Sequence, residues 1–84
     1  MDMIIAEEVA LKTLISMVNR ELNAMKRNIS ILTADTVLIK GEYFSGMIQD
    51  FIELAPEFED KALQEWEPIS EQFLKLAEIV RKYQ

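Results

Sequence analysis

Ile39-Lys40-Gly41-Glu42-Tyr43-Phe44 decides the fold, because it separates two long apolar seams and holds one of the two glycines in the chain. Before it, Leu11, Ile15, Val18, Leu22, Met25, Ile29 and Leu32 recur in steps of four and three. After it, Phe44, Ile48, Phe51, Ala55, Phe58 and Ala62 form a second seam, which resumes through Trp66, Ile69, Phe73, Leu76, Val80 and Tyr83. Such spacing gathers apolar side chains on one face of a helix. Gly41 can take a left-handed backbone that closes a first helix, and its missing side chain lets two backbones approach. Glu42 suits the positive dipole end of a following helix. The expectation is an all-α antiparallel helical hairpin, a single domain over residues 1–84 with its bend near 39–43, at Ile39, Gly41 and Phe44.

The first helix is expected from about Ile4 to Leu38, although Asn19, Asn23 and Asn28 dilute its intrinsic helicity. The β-branched Thr36, Val37 and Ile39 also admit a strand, but the continuing seam favours helix. The second arm is expected from near Glu42 to near Lys82 and contains Pro56 and Pro68. Each proline removes an amide hydrogen and crowds the preceding turn, so the arm kinks near one of them, or restarts with Pro56 early in a new helix. Leu14, Met17, Met47, Ile52, Leu54 and Leu63 flank the seams and widen the apolar surface beyond what two helices cover. Two hairpins assembling into a four-helix bundle would cover it.

Composition narrows the chemistry. The chain has 84 residues, no Cys and no His, which leaves out a Cys/His metal site, thiol chemistry and a histidine base. Its net charge of −6 argues against nucleic acid, since phosphate binding rests on clustered Lys and Arg. Between Asp50 and Glu67 seven acids stand against the single Lys61. That region either orients a basic partner or is a solvated face that keeps the chain soluble. Met1 to Ala10 carries Asp2, Glu7 and Glu8 and lacks the basic and then apolar pattern of a secretory signal. No apolar run approaches the length of a membrane span.

Paired carboxylates are plentiful, with Glu53 and Glu57, and Glu67 and Glu71, at i,i+4. Catalysis or metal binding would also need a concave pocket to fix them, which a thin hairpin does not offer. Asn28-Ile29-Ser30 matches a glycosylation acceptor by chance, inside an expected helix. The G-E-Y-F-S-G stretch lacks the Lys and the glycine spacing of a phosphate loop. No catalytic, cofactor or metal residue is assigned. Aromatic and Met side chains offer adaptable buried contacts, so Tyr43, Met47, Phe51 and Phe58 are either hairpin core or a face for a partner helix. Trp66 either packs in the seam or anchors an interface.

The bend stretch resembles that of the small WXG-type proteins of bacterial type VII secretion. Their pattern is Trp-Xaa-Gly between two helices, with an aromatic residue three positions after the Gly. Gly41 and Phe44 match it, while Ile39 stands where the Trp would be. Phe51-Ile52-Glu53-Leu54-Ala55-Pro56 is similar to the apolar and Pro stretch in the second helix of some relatives. The family export signal resembles Tyr-Xaa-Xaa-Xaa-Asp/Glu, and here Tyr83 is followed only by Gln84. The resemblance implies a homodimer or heterodimer with another helical hairpin, or packing on the N-terminal helical region of a secreted toxin. It implies residence in the cytoplasm before export, and export without a signal peptide.

These observations lead to a non-enzymatic helical protein-binding module, without cofactor, nucleic acid or membrane span. Through the resemblance it is a substrate or targeting partner in type VII secretion. The alternative is a cytoplasmic helical adaptor, chaperone or antitoxin-like inhibitor.

Overall fold

A computed structural model describes the backbone of residues 3–83 and the side chains of residues 6–83. Met1, Asp2 and Gln84, which entered the leader and export-signal arguments, lie outside the described residues. The rest of the chain is all-α, as expected, but it forms three helices rather than a two-helix hairpin. These are α1 (Met3–Lys26), α2 (Ala34–Leu54) and α3 (Glu59–Lys82), joined through 3-10 turns at Ile29–Ile31 and Pro56–Phe58.

The first turn falls where the seam hides it. Asn28 leaves the helix and donates from Nδ2 to the carbonyl of Ala24 at 2.7 Å, satisfying one of the open carbonyls at the end of α1. Lys26 adds a positive charge beside the same dipole end. Leu32 and Thr33 are extended, and Thr33 caps α2: its Oγ1 accepts from the Thr36 amide at 3.1 Å. Asp35 in the first turn of α2 meets the positive end of that helix.

The expected bend at 39–43 is therefore corrected. Ile39, Gly41 and Phe44 lie inside α2, and neither glycine has a positive φ. Gly41 does serve a close approach, but sideways: a Cβ on it would stand 3.4 Å from the Cβ of Phe73 in α3. The kink near Pro56 is present. Pro56 opens the 3-10 turn between α2 and α3, a first-turn position where its missing amide is not needed. Pro68 sits inside α3, which continues through it.

Cross-helix contacts set the directions. Glu8 meets Lys61 and Lys26 meets Gln72, so α1 and α3 run parallel. Gly41 lies beside Phe73, and the short turn at 55–58 joins the far ends, so α2 runs antiparallel to α3. The result is an up-down-up bundle measuring 50 × 18 × 16 Å. Its core combines Leu11, Val18 and Leu22 of α1, Val37, Phe44 and Ile48 of α2, and Trp66, Phe73 and Val80 of α3. Phe73 is the hub: its ring centroid lies 5.9 Å from Phe44 and 6.3 Å from Trp66, within the range of tilted aromatic pairs. The third helix supplies cover that the sequence reading had assigned to a second copy, and the described residues form three helices rather than one hairpin of a four-helix bundle.

Candidate protein-interaction surfaces

Helical geometry turns the core face of α2 toward Val37, Phe44 and Ile48 and carries other apolar residues onto a flank. Ile39, Tyr43 and Met47 follow at steps of four, and Leu54 stands eleven residues beyond Tyr43, close to three full turns. They share the side of α2 that carries Lys40, which pairs with Glu21 of α1 at 3.6 Å. Exposure is high along this stripe: Ile39 66%, Tyr43 62% and Leu54 85%. Large apolar side chains exposed in a row on a small domain mark a contact surface more clearly than scattered ones.

Placing the sequence-selected interface residues on the fold separates them. Tyr43 is exposed, and its ring leans on Phe44 at a centroid distance of 5.6 Å. Met47 is half-buried against the core. Phe51 and Phe58 are half-buried and meet edge to face at 6.2 Å, clamping the turn between α2 and α3. Trp66 is 6% exposed and belongs to the core. Ile39, assigned to the bend, is instead on the surface. Leu54 was read only as a flanking residue; its position one residue before Ala55-Pro56 places it where a helix ends and coverage stops.

A second apolar surface lies at the other end of the bundle, between α1 and α3. Ile29, Leu76 and Ile79 line an open groove of about 390 Å³, with Lys26, Gln72 and Lys75 around it. It continues past Ile79 into depressions lined by Tyr83, Lys82, Arg27 and Ser30. Lys26 donates from Nζ to the neutral Oε1 of Gln72 at 2.7 Å, so this bond does not neutralise its charge. Sequence reading missed the groove because it joins the end of one helix to the end of another 50 residues away, and only the three-helix path brings them together.

Charge is partitioned along the rod. Residues 20–35 and 71–83 carry six bases and four acids, whereas residues 6–12 and 50–67 carry nine acids and two bases. At the acidic end Lys61 donates to Glu8 Oε1 at 3.0 Å, which holds the Glu8 carboxyl below the usual carboxylate range. Glu7 and Glu57 face each other there. A hydrogen bond between the two carboxyls raises Glu7 and lowers Glu57. Glu7 Oε2 is shielded from water without a well-aligned partner, which favours the protonated form of Glu7 in the same direction.

This pairing is a surface contact between the N-terminal turns of α1 and the turn before α3. Glu53 and Glu57 no longer share a helical face, because the chain turns between them. Among the described residues, no group of three or more His, Cys, Asp or Glu side chains is arranged to hold a metal ion. No helix among them is long and apolar enough to cross a membrane. The molecule is thus a small all-helical domain whose distinctive features are surfaces suited to binding protein. No family model, curated protein or solved structure matches the chain.

Proposed function

We propose that this chain is a non-enzymatic protein-binding module that receives a helical segment of another protein along the outer flank of α2. The observation that carries this reading is the stripe of Ile39, Tyr43 and Leu54, exposed on a domain whose core is already closed by its own three helices. Tyr43 offers a rigid aromatic body with a polar tip, the side-chain type most often found as an anchor in protein interfaces. A helix laid along this flank would bury the stripe at i, i+4 spacing and find the Lys40–Glu21 pair at its rim.

The test compares the wild type with an Ile39→Asp, Tyr43→Asp double variant in affinity capture from the native host. Both positions are exposed, so each substitution is expected to change stability by no more than about 0.5 kcal/mol, and circular dichroism verifies that the variant is folded. A partner captured by the wild type and lost by the folded variant supports the reading. A partner retained equally by both refutes the stripe as the binding face.

The narrower reading, a substrate or targeting partner in type VII secretion, comes second. It rests on Gly41 and Phe44, and the three-helix fold offers a packing reason for both residues, at the Phe73 contact. Export is tested by fractionating cultures with the secretion system intact and deleted. Appearance in the medium only in the intact strain favours export; retention in both favours a cytoplasmic adaptor, chaperone or inhibitor.

A further inference from the structure

We infer that the chain associates with a second copy of itself head to tail, with Leu54 at the acidic end of one copy seated in the groove formed by Ile29, Leu76 and Ile79 at the basic end of the next. The inference goes beyond the protein-binding reading above, with which it shares only Leu54.

The two surfaces are complementary in shape and in charge. Leu54 is the most exposed large apolar side chain in the described structure, a single knob at the end of α2. Asp50 lies one turn before it, Glu53 beside it and Glu57 in the turn that follows. The groove is apolar on its floor and rimmed by Lys26 and Lys75, with Lys82 beyond Ile79. The ion pairs among the described residues join Lys40 to Glu21 and Lys61 to Glu8, which leaves these three lysines available to carboxylates of another molecule. Docking therefore buries apolar surface at the centre and sets opposite charges around it, the arrangement that gives both attraction and orientation.

The same complementarity argues against docking within one copy. From the start of α3 to Ile79 the helix rises by roughly 30 Å, so the knob and groove of one molecule cannot meet. A contact between two different patches is heterologous. It repeats from copy to copy and grows as an open chain unless its rotation closes a ring.

The experiment uses the full chain and two substitutions at exposed positions, Leu54→Lys and Ile79→Glu. Each places into the contact a charge of the same sign as the groups it would face on the other copy, and Trp66 emission together with circular dichroism verifies the fold. Sedimentation velocity over a wide concentration range is expected to show the wild type growing past the dimer. Each variant alone is expected to remain monomeric. An equimolar mixture is expected to associate again, because one intact knob and one intact groove remain between the two variants and the two introduced charges are opposite in sign. Raising salt from ~0.05 M to ~1 M is expected to weaken wild-type association by about tenfold as the charges are screened.

A wild type that stays monomeric at every concentration overturns the inference. So does a mixture that fails to associate while the wild type associates, a closed dimer that survives both substitutions, or association unchanged by salt. These failures leave the reading of the α2 flank standing, because its capture test uses Ile39 and Tyr43, which the head-to-tail contact does not require. Binding of a different acidic helical segment to the groove, with no self-association, likewise overturns the second copy as occupant.

Discussion

Adding one methyl group at each glycine in turn distinguishes a glycine inside a helix from a glycine at a turn. Both Gly41 and Gly46 lie in α2 with ordinary helical backbones. Replacing a mid-helix glycine by alanine gains about 0.8–1 kcal/mol, mostly by restricting the unfolded chain. At Gly46 nothing lies within 4 Å of the new Cβ, so Gly46→Ala is expected to realise nearly all of that gain. For a domain of this size the gain raises the thermal midpoint by about 4–8 °C. At Gly41 the new Cβ meets Phe73 Cβ at 3.4 Å, Cγ at 3.5 Å and Cδ1 at 3.7 Å, which is close van der Waals contact rather than overlap. Gly41→Ala is therefore expected to stabilise by about 0.5–1 kcal/mol. Gly41→Leu pushes further atoms toward the Phe73 ring and is expected to destabilise by about 1–3 kcal/mol. Urea unfolding followed by Trp66 fluorescence and circular dichroism measures all three. If Gly41→Ala costs more than about 1 kcal/mol while Gly46→Ala stabilises, residue 41 holds a conformation that alanine resists, and the continuous α2 is refuted in favour of a bend.

Three further outcomes are expected. Thr33→Ala removes the 3.1 Å cap on the Thr36 amide and is expected to cost about 1 kcal/mol by urea unfolding, with Thr33→Ser restoring most of it. Phe73→Ala empties the site shared by Phe44 and Trp66 and is expected to cost about 3–5 kcal/mol, against a total of about 4–13 kcal/mol for a chain of 84 residues; a calorimetric loss below about 1 kcal/mol would show that Phe73 is not the hub. Glu7→Gln keeps a donor toward Glu57 without the titration. Because Glu7 has a raised pKa, the wild type gains stability as pH falls through that value, whereas Glu8 and Glu57, with lowered values, lose theirs as pH falls through their own. The variant is therefore expected to exceed the wild type in thermal midpoint at neutral pH, and the two curves should converge as pH falls to the ordinary carboxylate range; parallel curves at all pH values would exclude a raised Glu7.

The helical class and most of the core were legible because the apolar period is a local property. Leu11, Val18, Phe44, Ile48, Phe73 and Val80 are all buried where the seams place them. The kink near Pro56 was legible because proline acts on its own backbone. The number of helices was not, since the first turn is set by Thr33 capping the Thr36 amide and by Asn28 bonding Ala24, while Ile29 and Leu32 continue the seam across it. Gly41 was misread because a glycine that ends a helix and one that admits a neighbouring ring look alike in sequence. The groove at Ile29 and Ile79 depends on the parallel placement of α1 and α3, which follows only once the extra turn is known.

The turn at Pro56–Phe58 also has a kinetic consequence. It joins α2 and α3 through a short loop, so the aromatic cluster of Phe44, Trp66 and Phe73 assembles with little loop-closure entropy to overcome. Helical folds with such local contacts reach the native state on the order of microseconds to milliseconds. Trp66 reports that event directly, and α1, which joins through side chains rather than close backbone approach, is expected to arrive last and leave first. Its amides should exchange with solvent ahead of those in the α2–α3 pair, making the first helix the movable part of an otherwise fixed scaffold.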